Sequence, residues 1–525
     1  MKGDFSRLSF KARNHFSRVL WQQGRVALDA DQNEQSAILL HYMRMLARDL
    51  IGCGGAGPGF ALSVDNSAPP SLLISKGHYY VDGILVENDD GCDYANQPDY
   101  KPDGDDALRK QLKKPDAQTF PWWIYLDVWE RHITFIENSS IRESALDGPD
   151  TCTRAQVVWQ VKALSVPAAV DTLKKRQQVI GKRRDQAAND PVRQAELAAE
   201  YDRLGKEIDS LSRAPAQADN CAAPLDTLDP HGSGRMAARL DPGQQIKTPC
   251  LIAPDAQYRG AENQLYRIEI HDGGEPGTAT FKWSRENGSV ASALIETDGN
   301  DLVVANTRGF AAGNWVELSY DSLDLLGTPG MLVKLARVDG DRLSIDSASL
   351  EGRSLWLAQD LATQNPKVRR WEQTQHDKIT LQLGAVPIDT SQPTWIDLED
   401  GIQVQFAADG EYRSGDYWLM PARVSNGQID WPPAIDGTTT TLFKPPFGTE
   451  HHYAPLGFLA WSAANGKFEI ATACHCAITP LCDCSRDERR GLVDRVAPNA
   501  VAAPAARTAK KKAGVAGRSG RKKGR

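Results

Sequence analysis

HFSRVLWQQGRVALDADQNEQSAILLHYMRMLARDLIG, residues 15–52, is the stretch around which the rest of the chain is arranged. Residues Arg25 to Leu28 read as a short strand-like run leading into a helix. Asp31 is placed as an N-cap, and Glu34 three residues on completes a capping box. Leu39, Met43, Leu46 and Leu50 then share one face at helical spacing, with Ile38, Tyr42 and Met45 beside them. Gly52, Gly54 and Gly55 stop the helix. So broad an apolar stripe needs something to pack on, either the chain's own β structure or another subunit.

Working outward, the sequence of 525 residues is long enough for two to four domains, each with its own core. Its 41% hydrophobic and 25% charged content is ordinary for a globular protein, and 13 Trp with 43 Gly favour β structure rich in turns. The net charge of −7 conceals an asymmetry. Residues 501–525 hold nine Lys/Arg and no acid, leaving 52 basic against 68 acidic groups in residues 1–500. An acidic body with a short basic tail argues against a folded nucleic-acid-binding domain. No apolar run of 18 residues spans a membrane, and MKGDFSRLSFKARNHF lacks a signal-peptide core, so synthesis and folding in the cytoplasm are expected. Nine cysteines scattered over a large chain argue against a disulfide framework.

The remaining pattern is mainly β and multidomain. Residues 1–54 form an N-terminal anchoring segment with its helix, and 55–167 a β domain. Within that domain Val81-Asp82-Gly83 marks a hairpin, Ile124, Leu126 and Val128 alternate as a half-buried strand, and Trp159 lies in a further strand. Residues 168–213 are Lys/Arg/Glu/Gln/Ala-rich and divide at Asn189-Asp190-Pro191. Leu197, Tyr201, Leu204, Ile208 and Leu211 recur at threes and fours there, so an inserted antiparallel helical hairpin is expected, either a solvated spacer or a partner-binding arm. A linker occupies 214–262. Strand runs about ten residues apart then fill 263–365, the pattern of a sandwich or barrel. A C-terminal β domain, including KITLQL at 378–383, covers 366–485, and 486–525 is a disordered basic tail.

The opening run resembles that of an uncharacterised bacterial family found beside phage-tail-like contractile injection systems. YVDGILVEN, YLDVWERHIT, GPDTCTRAQVVWQVK, YRIEIH, TFKWSRENGSV, LEDGIQVQFA, YRSGDYWLMPAR and HHYAPLGFLA fit the same family in the same order, across residues 1 to 484. The chain departs from the family's usual pattern at Gln32, where Trp is expected. The resemblance implies a structural component of a tail-like particle, in its baseplate or tail-fibre region, and brings no catalytic residues. Its partners would be other particle subunits or further copies of the chain. It would assemble in the cytoplasm and leave as part of the particle. Phe16, Val19, Leu39, Met43, Leu46 and Leu50 are the residues expected to anchor it.

Other chemistry is less pointed. Cys474, Cys476, Cys482 and Cys484 form two CxC pairs that could wrap a structural zinc ion, although CxxC is the usual spacing. Free thiols, or a disulfide under oxidising conditions, are the competing readings. Asp29, Asp31, Asn33 and Glu34 mimic a calcium loop without its Gly at position six or Glu at position twelve. His451 and His452 read as polar loop residues lacking an acid partner at fixed spacing. Trp122, Trp123, Trp129, Trp283, Trp315, Trp395, Trp418 and Trp461 read as core, with a sugar-stacking platform as the alternative, which would make the chain a glycan-binding or glycan-cleaving module. The basic tail could meet a polyanion, act as a solubility tail or tether the chain to an acidic partner.

Overall fold

A computed structural model describes residues 1–478, apart from 53, 57–58, 102–105, 115–120, 147–150, 189–190, 214–220, 222–227, 229–231, 242–256, 376–378, 391–394, 433–441, 475 and 477. The tail expected at 486–525 lies outside the described residues. Among those described, five α-helices stand out: α1 (Asp29–Ile51), α2 (Ala107–Lys113), α3 (Val166–Gln186), α4 (Pro191–Arg213) and α5 (Asp321–Leu326). The rest is mainly β, as the strand runs require.

The Asp82-Gly83 turn sits between strands Gly77–Val81 and Ile84–Asn88, with both turn residues at positive φ (49° and 81°), the geometry a two-residue hairpin demands. The strand Trp122–Ile133 pairs with Arg154–Ser165 on one side and His452–Ser462 on the other, and Lys467–Ala473 completes the four-stranded sheet. This central strand was expected to be half-buried, and both its faces are covered. Ile124, Leu126 and Val128 enter one core with Phe60, Tyr79 and Trp159, while Trp123 and Phe458 meet the helical hairpin on the opposite face.

Two more bodies follow. A five-stranded sheet built on Gln264–Ile270, Thr280–Ser284 and Tyr417–Arg423 shares one core with a three-stranded sheet of Ile396–Asp397, Ile402–Phe406 and Met236–Leu240. Between them in sequence, six strands close into a barrel, from Ala291–Asp298 through Lys367–Trp371, around Leu302, Val316, Val333 and Leu343. The sheets therefore cross the boundaries drawn at 167, 262 and 365. Strands at 452–473 complete the first sheet, and Met236–Leu240, inside the linker span, pairs with Ile402–Phe406. The described part of KITLQL forms no strand, and Leu381 packs instead against the neighbouring cores.

Helices α3 and α4 lie on either side of the break near Pro191, with Leu197, Leu204, Ile208 and Leu211 buried and Tyr201 half-buried along their seam. Leu173 and Ile180 of α3 close on them from the other side.

Candidate assembly surface

Helix α1 begins at Asp29, two residues before the expected cap, with Leu28 at the N-cap and no side-chain capping bond. The run Arg25–Leu28 is not a strand, and a turn at Gly24 (φ 71°) precedes it. The acids that read as a capping box or a calcium loop do other work. The Ser6 amide donates to Asp29 Oδ2 (2.9 Å), and the Ser9 hydroxyl donates to Glu34 Oε2 (2.6 Å). Slight burial pulls the Asp29 carboxyl upward, but its hydrogen bonds with Ser6 outweigh that and hold it below the usual range. The first turn thus ties down the segment before the helix.

One side of α1 is fixed to the β body. Ala30 and Ile38 are buried. Arg44 grips Glu130 with both terminal nitrogens (2.8 and 3.4 Å), and Arg48 approaches Asp82 at 3.8 Å. The hairpin tip comes so close that a Cβ at Gly83 would lie 2.1 Å from the Arg44 carbonyl oxygen. Only glycine fits there, on both counts of φ and space.

The other side carries the apolar stripe, in the open. Leu39, Met43, Leu46 and Leu50 are 54, 68, 62 and 77% exposed. Phe16 is likewise exposed, and Val19 is half-buried, its amide donating to the Gln35 side chain at 2.8 Å. The structure adds Leu20, Trp21 and Val26, exposed on the irregular segment before the helix, which helical periodicity could not pick out. Of 24 exposed large hydrophobic residues among those described, 14 lie within the first 50 positions. Scattered exposed leucines need no explanation, whereas a cluster of this density makes this face a candidate interaction surface.

A second feature was not legible in the sequence. Where the first sheet, the sandwich and the barrel meet, a cleft of about 550 Å³ is lined by charged side chains. Lys282 Nζ lies 2.6 Å from Glu317 and 3.3 Å from Glu269, and Glu269 also pairs with Arg267 (2.6 Å) and Lys2 (2.9 Å). The Trp371 indole donates to Glu317 as well. The signal is the alternation in YRIEI, whose charged residues Arg267 and Glu269 are buried beside Lys282 of the paired strand and Glu317 of the barrel. Glu137 and Asp324 of the lining, with Asp321 beside them, bring carboxylates within 4.8 Å of one another, a grouping that suits a cation. Lys367 supplies it, at 2.6 Å from both Glu137 and Asp324.

The electrostatics follow from this matching. Burial alone would raise Glu137, but Lys367 and a Thr134 hydrogen bond overcome it and hold the carboxyl at about 2. Glu269 and Glu317 are held low against burial by their lysine and arginine neighbours. Burial, helped by nearby positive charge, drops His132 to about 3. Carboxylates pinned in the ionised form are poor proton donors at neutral pH. Outside the cleft, burial pushes Glu372 up to about 7 despite Arg370 beside it. Both histidines read as loop residues do have acid partners: His451 Nδ1 is 2.7 Å from Asp127, and His452 Nδ1 is 3.0 Å from Asp82. Those partners lie more than 300 residues away, beyond any fixed-spacing motif.

Cys474 is disulfide-bonded to Cys221, with Cα atoms 5.6 Å apart, so its sulfur is not free to ligate zinc. Cys476 is an exposed thiol, and Cys482 and Cys484 lie outside the described residues. Six of the eight nominated tryptophans are buried, including Trp122, Trp283 and Trp418, and Trp395 and Trp461 are half-buried. A sugar-stacking platform needs an open ring face, which the six buried rings do not present. Among the described residues no helix is long and apolar enough to cross a membrane.

Fold and surface together define a β-rich, multi-sheet protein with a rigidly held, outward-facing apolar helix. The chain belongs to the family of unknown function DUF6519, whose model matches residues 1–525. No curated protein sequence matches it. Among solved structures, one chain titled "Crystal structure of TssK" is similar at 8% identity, covering 76% of this chain and 99% of that one, with a TM-score of 0.14. So slight a likeness carries no argument about fold or role.

Proposed function

We propose that this protein is a structural subunit of a phage-tail-like contractile injection particle, in its baseplate or fibre region, with no bond-making step of its own. The observation that carries the reading is the apolar face of α1 and the segment before it, held firmly by the body on one side and open on the other. It accords with the family resemblance of the opening motif, and Leu39, Met43, Leu46 and Leu50, four of the six residues named from sequence, lie on the open side of α1. The β bodies form the bulk that the helix attaches to its neighbours.

The test is co-purification of the chain with sheath and tube proteins from cells producing the particle. Leu46→Glu with Leu50→Glu is expected to abolish co-purification, while Val192→Glu, at an equally open apolar position on α4, leaves it intact. Retention of the α1 variant in particles would contradict attachment through α1, and failure of the unaltered chain to co-purify would contradict the proposal.

A further inference from the structure

The stripe on α1 has a symmetry of its own. Its members are separated by four, three and four residues, which is the a/d spacing of a coiled-coil seam. That pattern reads the same in both directions about a point between Arg44 and Met45. Laid antiparallel on a copy of itself, the helix sets Leu39 against Leu50 and Met43 against Leu46, so each large side chain meets another. The side that carries Ile38, Arg44 and Arg48 is taken up by the body, so the seam is the side left for a partner.

Charge favours the same partner. The positions flanking the seam are Asn33, Gln35, Leu40, Tyr42, Ala47 and Asp49. A seam built for a different, charged helix would carry complementary charges on its rim, since those set partner choice. Here Asp49 is the one charged residue, and in the antiparallel arrangement its neighbour on the same rim is Tyr42 of the other copy, with the second Asp49 ~13 Å away along the axis. Area is sufficient too. Six seam and flanking apolar side chains at 40–77% exposure offer on the order of 600 Å² per copy, and the pair reaches the ~1,200 Å² at which specific interfaces begin. The hairpin α3/α4 shows such a seam closed within the chain, whereas α1 has no second helix of its own to close on among the described residues.

We infer that two copies of this chain pair through α1 in an antiparallel, two-fold contact centred between Arg44 and Met45. This rests on the docking reading above and names the neighbour as a second copy. It is an isologous contact, in which one patch serves both sides.

The experiment uses the full chain. Light scattering on the purified protein is expected to give twice the 57.6 kDa chain mass, and Leu39→Glu with Leu46→Glu to give a single-chain mass with an unchanged far-UV spectrum. For geometry, Leu39→Cys with Leu50→Cys is expected to cross-link two chains on oxidation well above the level of the unaltered protein. The two positions are ~16 Å apart on one helix, too far to bond within a chain. Leu39→Cys alone is expected to stay at background. A single-chain mass at tens of micromolar, a dimer indifferent to the glutamates, or cross-linking by Leu39→Cys alone would each overturn the inference. If the protein is monomeric yet Leu46→Glu still removes it from particles, self-pairing fails and the particle reading stands. If it is dimeric and the unaltered chain does not co-purify with particles, the particle reading fails and self-pairing stands.

Discussion

Helix α1 and the hairpin α3/α4 carry the same sequence signal, large apolar residues at threes and fours, and meet opposite fates. In the hairpin, Leu197, Leu204, Ile208 and Leu211 are buried against Leu173 and Ile180. In α1, Leu39, Met43, Leu46 and Leu50 stay open while Ala30, Ile38 and Arg44 hold the helix down from the other side. The difference lies in the neighbours. The turn near Pro191 brings a second helix onto the first, whereas α1 is followed by glycines and strands. An apolar stripe asks for something to pack on, and only the fold shows whether the chain itself supplies it.

The largest effect separating the two should come from Leu204→Asp, which puts a charge into the closed seam. A loss of about 4 kcal/mol is expected in urea unfolding, from the lost packing and the unpaired buried charge. Leu46→Asp, measured in protein dilute enough to be monomeric, is expected to shift the same midpoint by no more than about 0.5 kcal/mol. Equal losses at both sites would mean that the α1 seam is already covered within the chain.

Acid sharpens the comparison from the other direction, because the body is held at its sheet junctions by ion pairs while the seam is not. The folded Glu137 value, about 2, lies below the ordinary carboxyl value of about 4.3. Its stabilisation is therefore complete above about pH 4.3 and is lost as pH falls from there toward about 2. Glu269 and Glu317 shift in the same direction. From Glu137 alone the loss is on the order of 3 kcal/mol, read as a falling unfolding midpoint between pH 5 and 2. A flat midpoint across that range would show that the buried pairs are not formed.

Smaller effects concern how α1 is held. Gly83→Ala is expected to cost about 2 kcal/mol and to raise amide exchange in residues 38–50, because its Cβ meets the Arg44 carbonyl and its φ is positive. Arg44→Ala removes a partly exposed ion pair, so about 0.5–1 kcal/mol is expected, with the exchange increase confined to α1. Removing residues 1–52 altogether is a poorer probe than it looks from sequence. Lys2 pairs with buried Glu269, and Asn287 donates to the carbonyls of Met1 and Gly3, so the truncation would damage the body too.

Much of the fold could be read in the sequence because its causes are local. The Asp82-Gly83 turn, the two arms of 166–213 and most strand runs each depend on residues within a few positions of one another. What could not be read depends on pairing across the chain. Strand His452–Ser462 joins Trp122–Ile133 over some 330 residues, and the same fold-back gives His451 its partner Asp127. The burial of Arg267 and Glu269 in YRIEI could not be read either, because alternation cannot say whether a second sheet lies beyond the polar side. The exposed apolar positions of α1 could be picked out by their helical period, while exposed Leu20, Trp21 and Val26 follow none. Cys474 was assigned among its sequence neighbours, yet its partner is Cys221, 253 residues away.

The central claim is that the outward face of α1 is covered in the assembled state. Peroxide oxidation of Met43, followed by peptide mass spectrometry, reads that directly. In intact particles Met43 should oxidise at least tenfold more slowly than in the isolated Leu39→Glu, Leu46→Glu chain. Equal rates in the two would contradict the account.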